Sequence, residues 1–411
     1  MTVIFLTMAP IEDINVREIY PDLLRYFVEK GHMVYVVSPR DRRLGIKTYE
    51  KGDGSVHYMG VRTLNLQKTN VIEKGVGQVL VSDQFKSAIK KYWGNTKFDL
   101  ILYATPPITL QGVVQWLKKK NPQAMSYLML KDIFPQNAVD IGMMTKNGFK
   151  GILYKHFRRQ EKKLYAISDY IGCMSPANVG YVLNNNPEIA ANRVEVAPNS
   201  VELRDSDALD NEEEELKAKS EWLYMRKKYD IPLDRPVFIY GGNLGKPQGI
   251  PFLIDCLEAN KKRNDCFFLI VGNGTEYEKL MQWKDFSKPD NVKVMKGLPK
   301  KEYHELVRTC DVGLIFLDHR FTIPNYPSRV LSYMEYKMPV LCATDPNSDM
   351  GRIAEENGFG YWCESNSVEG FTSILDKMIT GDRKVMGERG YQYLKDNYLV
   401  EHTYNAIMRH F

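Results

Sequence analysis

The sequence is organised by a rhythm that leaves few folds open: short apolar runs alternate with amphipathic helical patterns, and the alternation occurs twice. Val3 to Thr7 (VIFLT) is followed by a helical pattern from Ile14 to Lys30 that stops at Gly31, and then by the apolar run Met33 to Ser38. The pattern recurs through 98–104, a helix over 108–120, 124–130, a helix over 150–166, 170–175 and 194–198. Strands joined by helices pair in parallel, because a parallel neighbour needs a long crossover connection. A doubly wound parallel α/β sheet is expected.

Residues 202–220 (ELRDSDALDNEEEELKAKS) break the rhythm with eleven charged residues and little to bury, which reads as a linker leading into a solvated helix. The alternation then restarts with 236–242, a helix over 250–262, 266–274, a helix over 276–284, 291–299, a helix over 301–310, 312–317, a helix over 328–336 and 339–343. Two Rossmann-like domains are therefore expected, 1–201 and 221–396, separated by the acidic linker and followed by a C-terminal helix, 397–411. A chain of 411 residues can bury two such cores.

Composition excludes other classes. With 44% hydrophobic and 26% charged residues, 29 Gly and 20 Pro, the chain is not collagen-like, coiled-coil or disordered. The first uncharged stretch, Met1 to Ile11, ends at Glu12 and Asp13 and has no basic flank, so neither a signal peptide nor a spanning helix is expected, and the protein is expected in the cytoplasm. The six cysteines stand singly in apolar surroundings and read as buried, reduced thiols. The net charge of +5 hides an asymmetry: residues 1–200 hold 27 Lys and Arg against 17 Asp and Glu, the rest 29 against 34, or +10 and −5. A basic half suits an anionic partner, whether nucleic acid, lipid headgroup or phosphorylated substrate, and charge alone does not choose.

In an open parallel sheet, ligands meet the loops at the carboxyl ends of the strands. Three such loops stand out in the second half: Gly241 to Gly249 (GGNLGKPQG), Gly272-Asn273-Gly274, and Asn325 to Arg329 ahead of a helix carrying Glu335. One glycine-rich loop is commonly just a tight turn, whereas three at the strand ends of one sheet point to a ligand. None is a P-loop, and no Gly-x-Gly-x-x-Gly opens a helix after the first strand, which argues against ATPases and NAD dehydrogenases.

At these residues the chain resembles the glycosyltransferases of family 4. Carrying the resemblance are Gly31 to Val37 (GHMVYVV), Ala197 to Glu202 (APNSVE), Val271 to Gly274 and Pro327 to Pro339 (PSRVLSYMEYKMP). Within that family it looks most like N-acetylfucosamine transferases of O-antigen and capsule assembly, through Thr105-Pro106-Pro107, Lys131 to Pro135 (KDIFP) and Ser175 to Asn178 (SPAN). The resemblance implies the GT-B fold, two Rossmann-like domains facing a central cleft with the C-terminal helix crossing back to the first. It also implies a retaining, metal-independent enzyme that takes a nucleotide-sugar donor, UDP-sugars first, and a polyprenyl-diphosphate-linked acceptor, with no cofactor.

Residue by residue, Glu335 matches the second Glu of the family's E-x7-E motif and would accept from the donor's ribose hydroxyls; the first Glu falls on Pro327. The family's Arg and Lys pair after the first strand of the second domain aligns with Asn243 and Gln248. With that pair missing, Lys246 and Arg329, with Arg320 behind them, are expected to meet the leaving diphosphate, together with Ser328 at a helix start. Gly272, Leu298 and Lys300 should border the nucleotide. In the first domain Lys131 stands where many members have a site His, beside Asp132; a phosphate or sugar contact and a strand-end salt bridge are both open for it. Thr105 and Arg17 complete the expected substrate-binding set. Asp205-Ser206-Asp207 imitates a metal-holding D-x-D but begins the acidic linker, so it reads as a solvated charge run and no metal is expected.

The segment Phe149 to Tyr165 forms a basic amphipathic helix that can pack its stripe on the sheet and still offer Lys and Arg to anionic lipid at the inner membrane face. Leu64 to Phe85, apolar with Gly75 and Gly77, is a second helix or lid for a lipid-linked acceptor. Two other classes stand against the transferase. A nucleotide-sugar 2-epimerase of the same fold would need no basic, lipid-facing first domain. A nucleic-acid binder would show a recognition helix, stacking aromatics or Cys/His fingers, and the sequence carries none of these.

Overall fold

A computed structural model describes residues 1–66, 71–148, 151–203 and 212–411. Phe149, Lys150 and the Asp205-Ser206-Asp207 triplet lie outside them. The chain forms two compact units, one of Met1–Glu202 with Leu399–Phe411, the other of Leu203–Tyr398.

The first unit holds β1 (Thr2–Leu6), β2 (Met33–Asp41), β3 (Tyr49–Asp53), β4 (Val56–Thr63), β5 (Leu100–Ala104), β6 (Met125–Leu130), β7 (Tyr170–Cys173) and β8 (Val194–Val196). They lie in the order β3-β4-β2-β1-β5-β6-β7-β8, parallel except for β3 against β4. The order reverses at β1, with β2 on one side and β5 on the other, which is where a doubly wound sheet opens a crevice for ligand. Val3, Phe5, Val36, Leu100 and Leu102 form the buried layer. Each such side chain contributes about 1.5–3 kcal/mol by leaving water.

The second unit holds β9 (Val237–Asn243), β10 (Phe267–Asn273), β11 (Val292–Met295), β12 (Val312–Phe316), β13 (Val340–Thr344) and β14 (Gly360–Glu364), all parallel, in the order β11-β10-β9-β12-β13-β14. Phe238, Tyr240, Phe268, Ile270, Leu314 and Phe316 build its core. All six cysteines are buried and unpaired.

Several helices differ in extent from the sequence pattern. The first runs over Ile19–Glu29 rather than from Ile14, whose backbone is bound elsewhere: the Tyr58 hydroxyl accepts from the Ile14 N–H at 3.0 Å, and the Ile14 carbonyl accepts from Arg25. The stretch 108–120 splits into a 3-10 turn, Ile108–Leu110, and a helix, Gln111–Lys120. The helix expected within 64–85 occupies Val71–Trp93, and 67–70 lie outside the described residues. Among the described residues, no helix is long and apolar enough to cross a membrane.

The C-terminal helix, Val400–Met408, returns to the first unit. Gly31, at φ 81°, ends the helix Ile19–Glu29 in the left-handed region and turns His32 towards Tyr404, whose hydroxyl lies 2.8 Å from its ring nitrogen. Tyr404 packs edge-on against Phe27, and Ile407 is fully buried in the same core. Ile407→Ala should therefore destabilise the first unit by about 2–5 kcal/mol. Chemical denaturation followed by hydrogen exchange would show first-unit amides losing protection while second-unit amides keep theirs.

Candidate functional site

In the second unit, the loops after β9, β10 and β12 meet at the carboxyl edge. The β9 loop folds onto the β10 loop through Leu244, whose N–H donates to the Asn273 carbonyl at 2.9 Å and whose carbonyl accepts from the Glu276 N–H at 2.9 Å. A Cβ at Gly272 would fall 2.0 Å from the Gly242 carbonyl, and one at Gly274 would fall 2.2 Å from that of Leu244, so only glycine allows this contact. The β9 loop also touches the β12 loop, where the Asp318 N–H donates to the Pro247 carbonyl at 3.0 Å.

Arg329 is brought into this cluster. Its guanidinium carbon stands 4.4 Å from the centre of the Tyr240 ring, a cation–π contact, and lies beside Gly242, where a Cβ would be 3.5 Å away. Its Nη1 is buried and has no hydrogen-bond partner. Such a donor is costly to hide, and an anion at the loop edge is what it would take. Lys246, on the 3-10 turn Lys246–Gln248, is exposed. Ser328 precedes the helix Arg329–Glu335 with helical backbone angles rather than an extended cap. Glu335 closes that helix, about 9 Å along its axis from Arg329, and is 7% exposed. Leu298 and the exposed Lys300 follow β11, next to Gly297, whose N–H donates to the Asn273 side chain at 3.3 Å.

Two expectations for this cluster change. Asn243 and Gln248 bond each other: the Asn243 amide donates to Gln248 Oε1 at 2.9 Å, and the Gly245 N–H donates to the same oxygen at 3.2 Å. They brace the loop from within. Arg320, held in reserve as a cation, is committed to Asp318 through two bonds of 2.8 Å. Burial pushes the Asp318 carboxyl up, but the bonds from Arg320 outweigh it and hold the group below its ordinary value.

A further set of residues was not singled out from the sequence. Asp345, fully buried just past β13, accepts from the N–H groups of Asn347 and Ser348 at 2.9 Å each and from the Ser348 hydroxyl at 2.8 Å. Ser348 Oγ in turn accepts from the Asn325 N–H at 2.9 Å, and the Asn347 amide donates to the Phe321 carbonyl at 2.7 Å. The chain from Phe321 to Asn325, which delivers Ser328 and Arg329, is thus held from behind at both ends. Asp-Pro-Asn-Ser directly after an apolar strand signals the turn itself, though not the bond it makes to Asn325.

In the first unit, Lys131 and Asp132 follow β6. Lys131 Nζ donates to the Ala197 carbonyl at 2.9 Å rather than to a carboxylate, and the residue stays half-buried. Burial lowers its pKa to about 7 and raises that of Asp132 to about 6. Asp132 Oδ1 accepts from the Asn137 amide at 2.8 Å. The Thr105 hydroxyl, 2% exposed, accepts from the Lys131 N–H at 3.0 Å and joins the ends of β5 and β6. Arg17 is half-buried in the loop after β1. A cavity of about 180 Å³ opens at the same edge, lined by Met8 and Pro10 after β1, Pro39, Asp41, Arg43 and Leu44 at and after the end of β2, Leu66, Gln78, Pro106 and Pro107. It sits at the point where the strand order reverses.

In the basic helix Gly151–Ile167, Arg158 bonds Glu161 at 2.6 Å and the Asn185 carbonyl at 2.8 Å, and Lys162 pairs with Glu188 at 3.0 Å. Lys155, Arg159 and Lys163 remain exposed.

Known proteins agree with this architecture. Residues 224–393, nearly all of the second unit, match the family of glycosyl transferases group 1. The chain is 21% identical over 346 residues to the probable glycosyltransferase WbjE of Pseudomonas aeruginosa, covering 80% of this chain and 78% of that protein. Among solved structures, Anabaena HepE in complex with UDP superposes with a TM-score of 0.65 at 12% identity, covering 100% of this chain and 99% of that one. WaaG, a glycosyltransferase involved in lipopolysaccharide biosynthesis, gives 0.64 at 14%, with 98% of each chain covered. The two parallel-sheet units have the fold of the GT-B glycosyltransferases. More particularly, the match to the glycosyl transferases group 1 family falls on the second unit, over residues 224–393.

The Asp345 brace carries a pH signature. Because burial raises this carboxyl from 3.8 to about 6, the group favours the folded second unit below pH 3.8, and that contribution is lost as pH rises to about 6. The loss is roughly 3 kcal/mol. Asp345→Asn should remove this contribution, so that stability falls less steeply over that interval than in the wild type, as urea titrations at stepped pH would reveal.

Proposed function

We propose that the protein is a retaining, metal-independent glycosyltransferase that moves a sugar from a nucleoside diphosphate donor, a UDP-sugar first, to a lipid-linked saccharide acceptor in cell-surface polysaccharide biosynthesis. The observation that carries the reading is Arg329: a buried guanidinium with an unused donor, beside two glycine-rich strand ends, is the chemistry of a diphosphate site. UDP bound to HepE, and the lipopolysaccharide role stated for WaaG, support the donor and the product class.

In this reading the acceptor hydroxyl oxygen bonds to the anomeric carbon as the bond to the diphosphate breaks. Negative charge then grows on the leaving group, and Lys246 and Arg329 stabilise it. Glu335 accepts from the ribose hydroxyls. On the acceptor side, Asp132, with a pKa near 6, is ionised at neutral pH and suited to take the hydroxyl proton, while Lys131, near 7, donates to sugar or phosphate oxygens. The apolar cavity at the β1/β5 crevice receives the acceptor.

Thermal-shift titration tests the donor directly: UDP at a hundred times its dissociation constant adds about 2.7 kcal/mol of stability. No response to UDP, GDP or their sugars would overturn the reading. Glu335→Gln should weaken donor binding by about 1.5–3 kcal/mol in a folded protein. Lys246→Ala and Arg329→Ala should each lower kcat more than they raise KM. Steady-state rates at saturating donor separate the two effects, and silent substitutions would put the cations elsewhere.

A further inference from the structure

The backbone that carries Arg329 is held by a pair of buried hydroxyls. Tyr326, three residues ahead of Arg329, is 7% exposed, and its hydroxyl accepts from that of Tyr398 at 2.5 Å, with the ring centres 5.8 Å apart. Tyr398 follows the helix Arg383–Asn397, and its N–H donates to the Leu394 carbonyl at 2.8 Å. Its ring also packs on Tyr393, which packs in turn on Phe359. One member of the pair is therefore firmly mounted, and the other lies on the loop that delivers the cation.

Two phenylalanines would fill the same space without hiding a polar atom, and a bond between buried hydroxyls adds little net stability. What the bond adds is direction, since it satisfies both hydroxyls in one arrangement only. Little slack separates that arrangement from Arg329. Between them stand Pro327, whose ring fixes φ, and Ser328, and the Pro327 carbonyl already accepts from the Val330 N–H at 3.2 Å as the helix Arg329–Glu335 begins. At its far end the Arg329 side chain meets the Tyr240 ring, which is fixed by its own hydroxyl donating to the Asn243 carbonyl at 2.7 Å. The other end of the helix has a separate anchor: the Tyr333 hydroxyl donates to the Ile239 carbonyl at 3.2 Å, two residues before Glu335.

We propose that Tyr326 and Tyr398 are positioning residues for the donor diphosphate. Their hydrogen bond sets where the helix Arg329–Glu335 starts, so that the guanidinium meets the terminal phosphate, while Tyr333 independently holds the Glu335 end that meets the ribose. The inference rests on the reading of Arg329 as the diphosphate cation, and it assigns the accuracy of that cation to a side chain more than sixty positions away in sequence.

The test is calorimetric titration of the full chain with UDP and with UMP, which share base and ribose and differ by one phosphate. Tyr398→Phe should weaken UDP binding roughly three- to tenfold and leave UMP binding unchanged, and Tyr326→Phe should do the same. Urea denaturation of the same variants separates positioning from packing. Each single substitution strands one buried hydroxyl and should lower stability, whereas the double variant Tyr326→Phe, Tyr398→Phe strands none and should regain it. UDP binding should stay weak in the double variant, because the directional bond is still missing. Should either single variant fail to fold, the double variant carries the test through its ratio of UDP to UMP affinity. The proposal is overturned if the variants bind UDP as wild type does, if UMP binding falls by the same factor, or if the double variant recovers UDP affinity together with stability. A wild type that binds no UDP overturns the donor reading and this inference with it. A wild type that binds UDP beside variants that bind it equally well overturns this inference alone.

Discussion

Backbone lying directly on backbone is the constraint on which the carboxyl edge of the second unit depends. The loops after β9 and β10 approach until the positions of Gly272 and Gly274 admit no Cβ against the carbonyls of Gly242 and Leu244. Gly242, at φ 129°, can turn there because it lacks a side chain. The resulting bend leaves room beside Gly242 for the Arg329 guanidinium, which the Tyr240 ring supports from the other direction. A methyl at Gly272 would part the two loops, and Arg329 would lose its neighbour without any change to Arg329 itself. Electrostatics at this edge is thus set by close packing, and the loop glycines position the cation.

The same reasoning explains what was legible in the sequence. Most strands are runs of buried aliphatic residues that composition marks, and the doubly wound parallel sheet followed from their spacing, whereas β3, β4 and β14, which mix polar residues and glycine with the apolar ones, were not singled out. The glycine loops were visible because their residue type is dictated locally. What was not legible depends on partners far along the chain. Residues 14–18 look helical, yet Tyr58 and Arg25 hold Ile14 out of the helix. Asn243 and Gln248 appear as replacements for two cations, and only the fold shows them closing on each other. Asp345 acts on Asn325 through Ser348, across 20 positions of sequence, which no local pattern encodes.

Charge was the least transferable signal. The excess of basic residues in the first half suggested an anionic partner, but part of it is consumed inside the fold. Arg40, 1% exposed, donates to the Pro39 carbonyl and the Tyr49 hydroxyl, and stands 3.1 Å from Glu12. Arg158 ties its helix to the segment at Asn185, and Lys118 is paired with Asp169. Each such pairing removes a cation from the count available to a ligand.

Two of the motifs by which the chain resembles the family, Gly31 to Val37 and Ala197 to Glu202, serve one structural purpose in the first unit. Gly31 and His32 end a helix and receive Tyr404. In the stretch Ala197 to Glu202, the Ala197 carbonyl accepts from Lys131 and the Pro198 carbonyl accepts from Thr403 at 3.0 Å. Val201 bridges Leu399, and Glu202 pairs with Arg25. All are points where the chain leaves the first unit or where its C-terminal helix docks on return. Joining residues about two hundred positions apart costs loop-closure entropy, although that cost grows only slowly with length. Contacts that pin both crossings offset it, so the sequence is most constrained where the chain must leave one unit and come back to it.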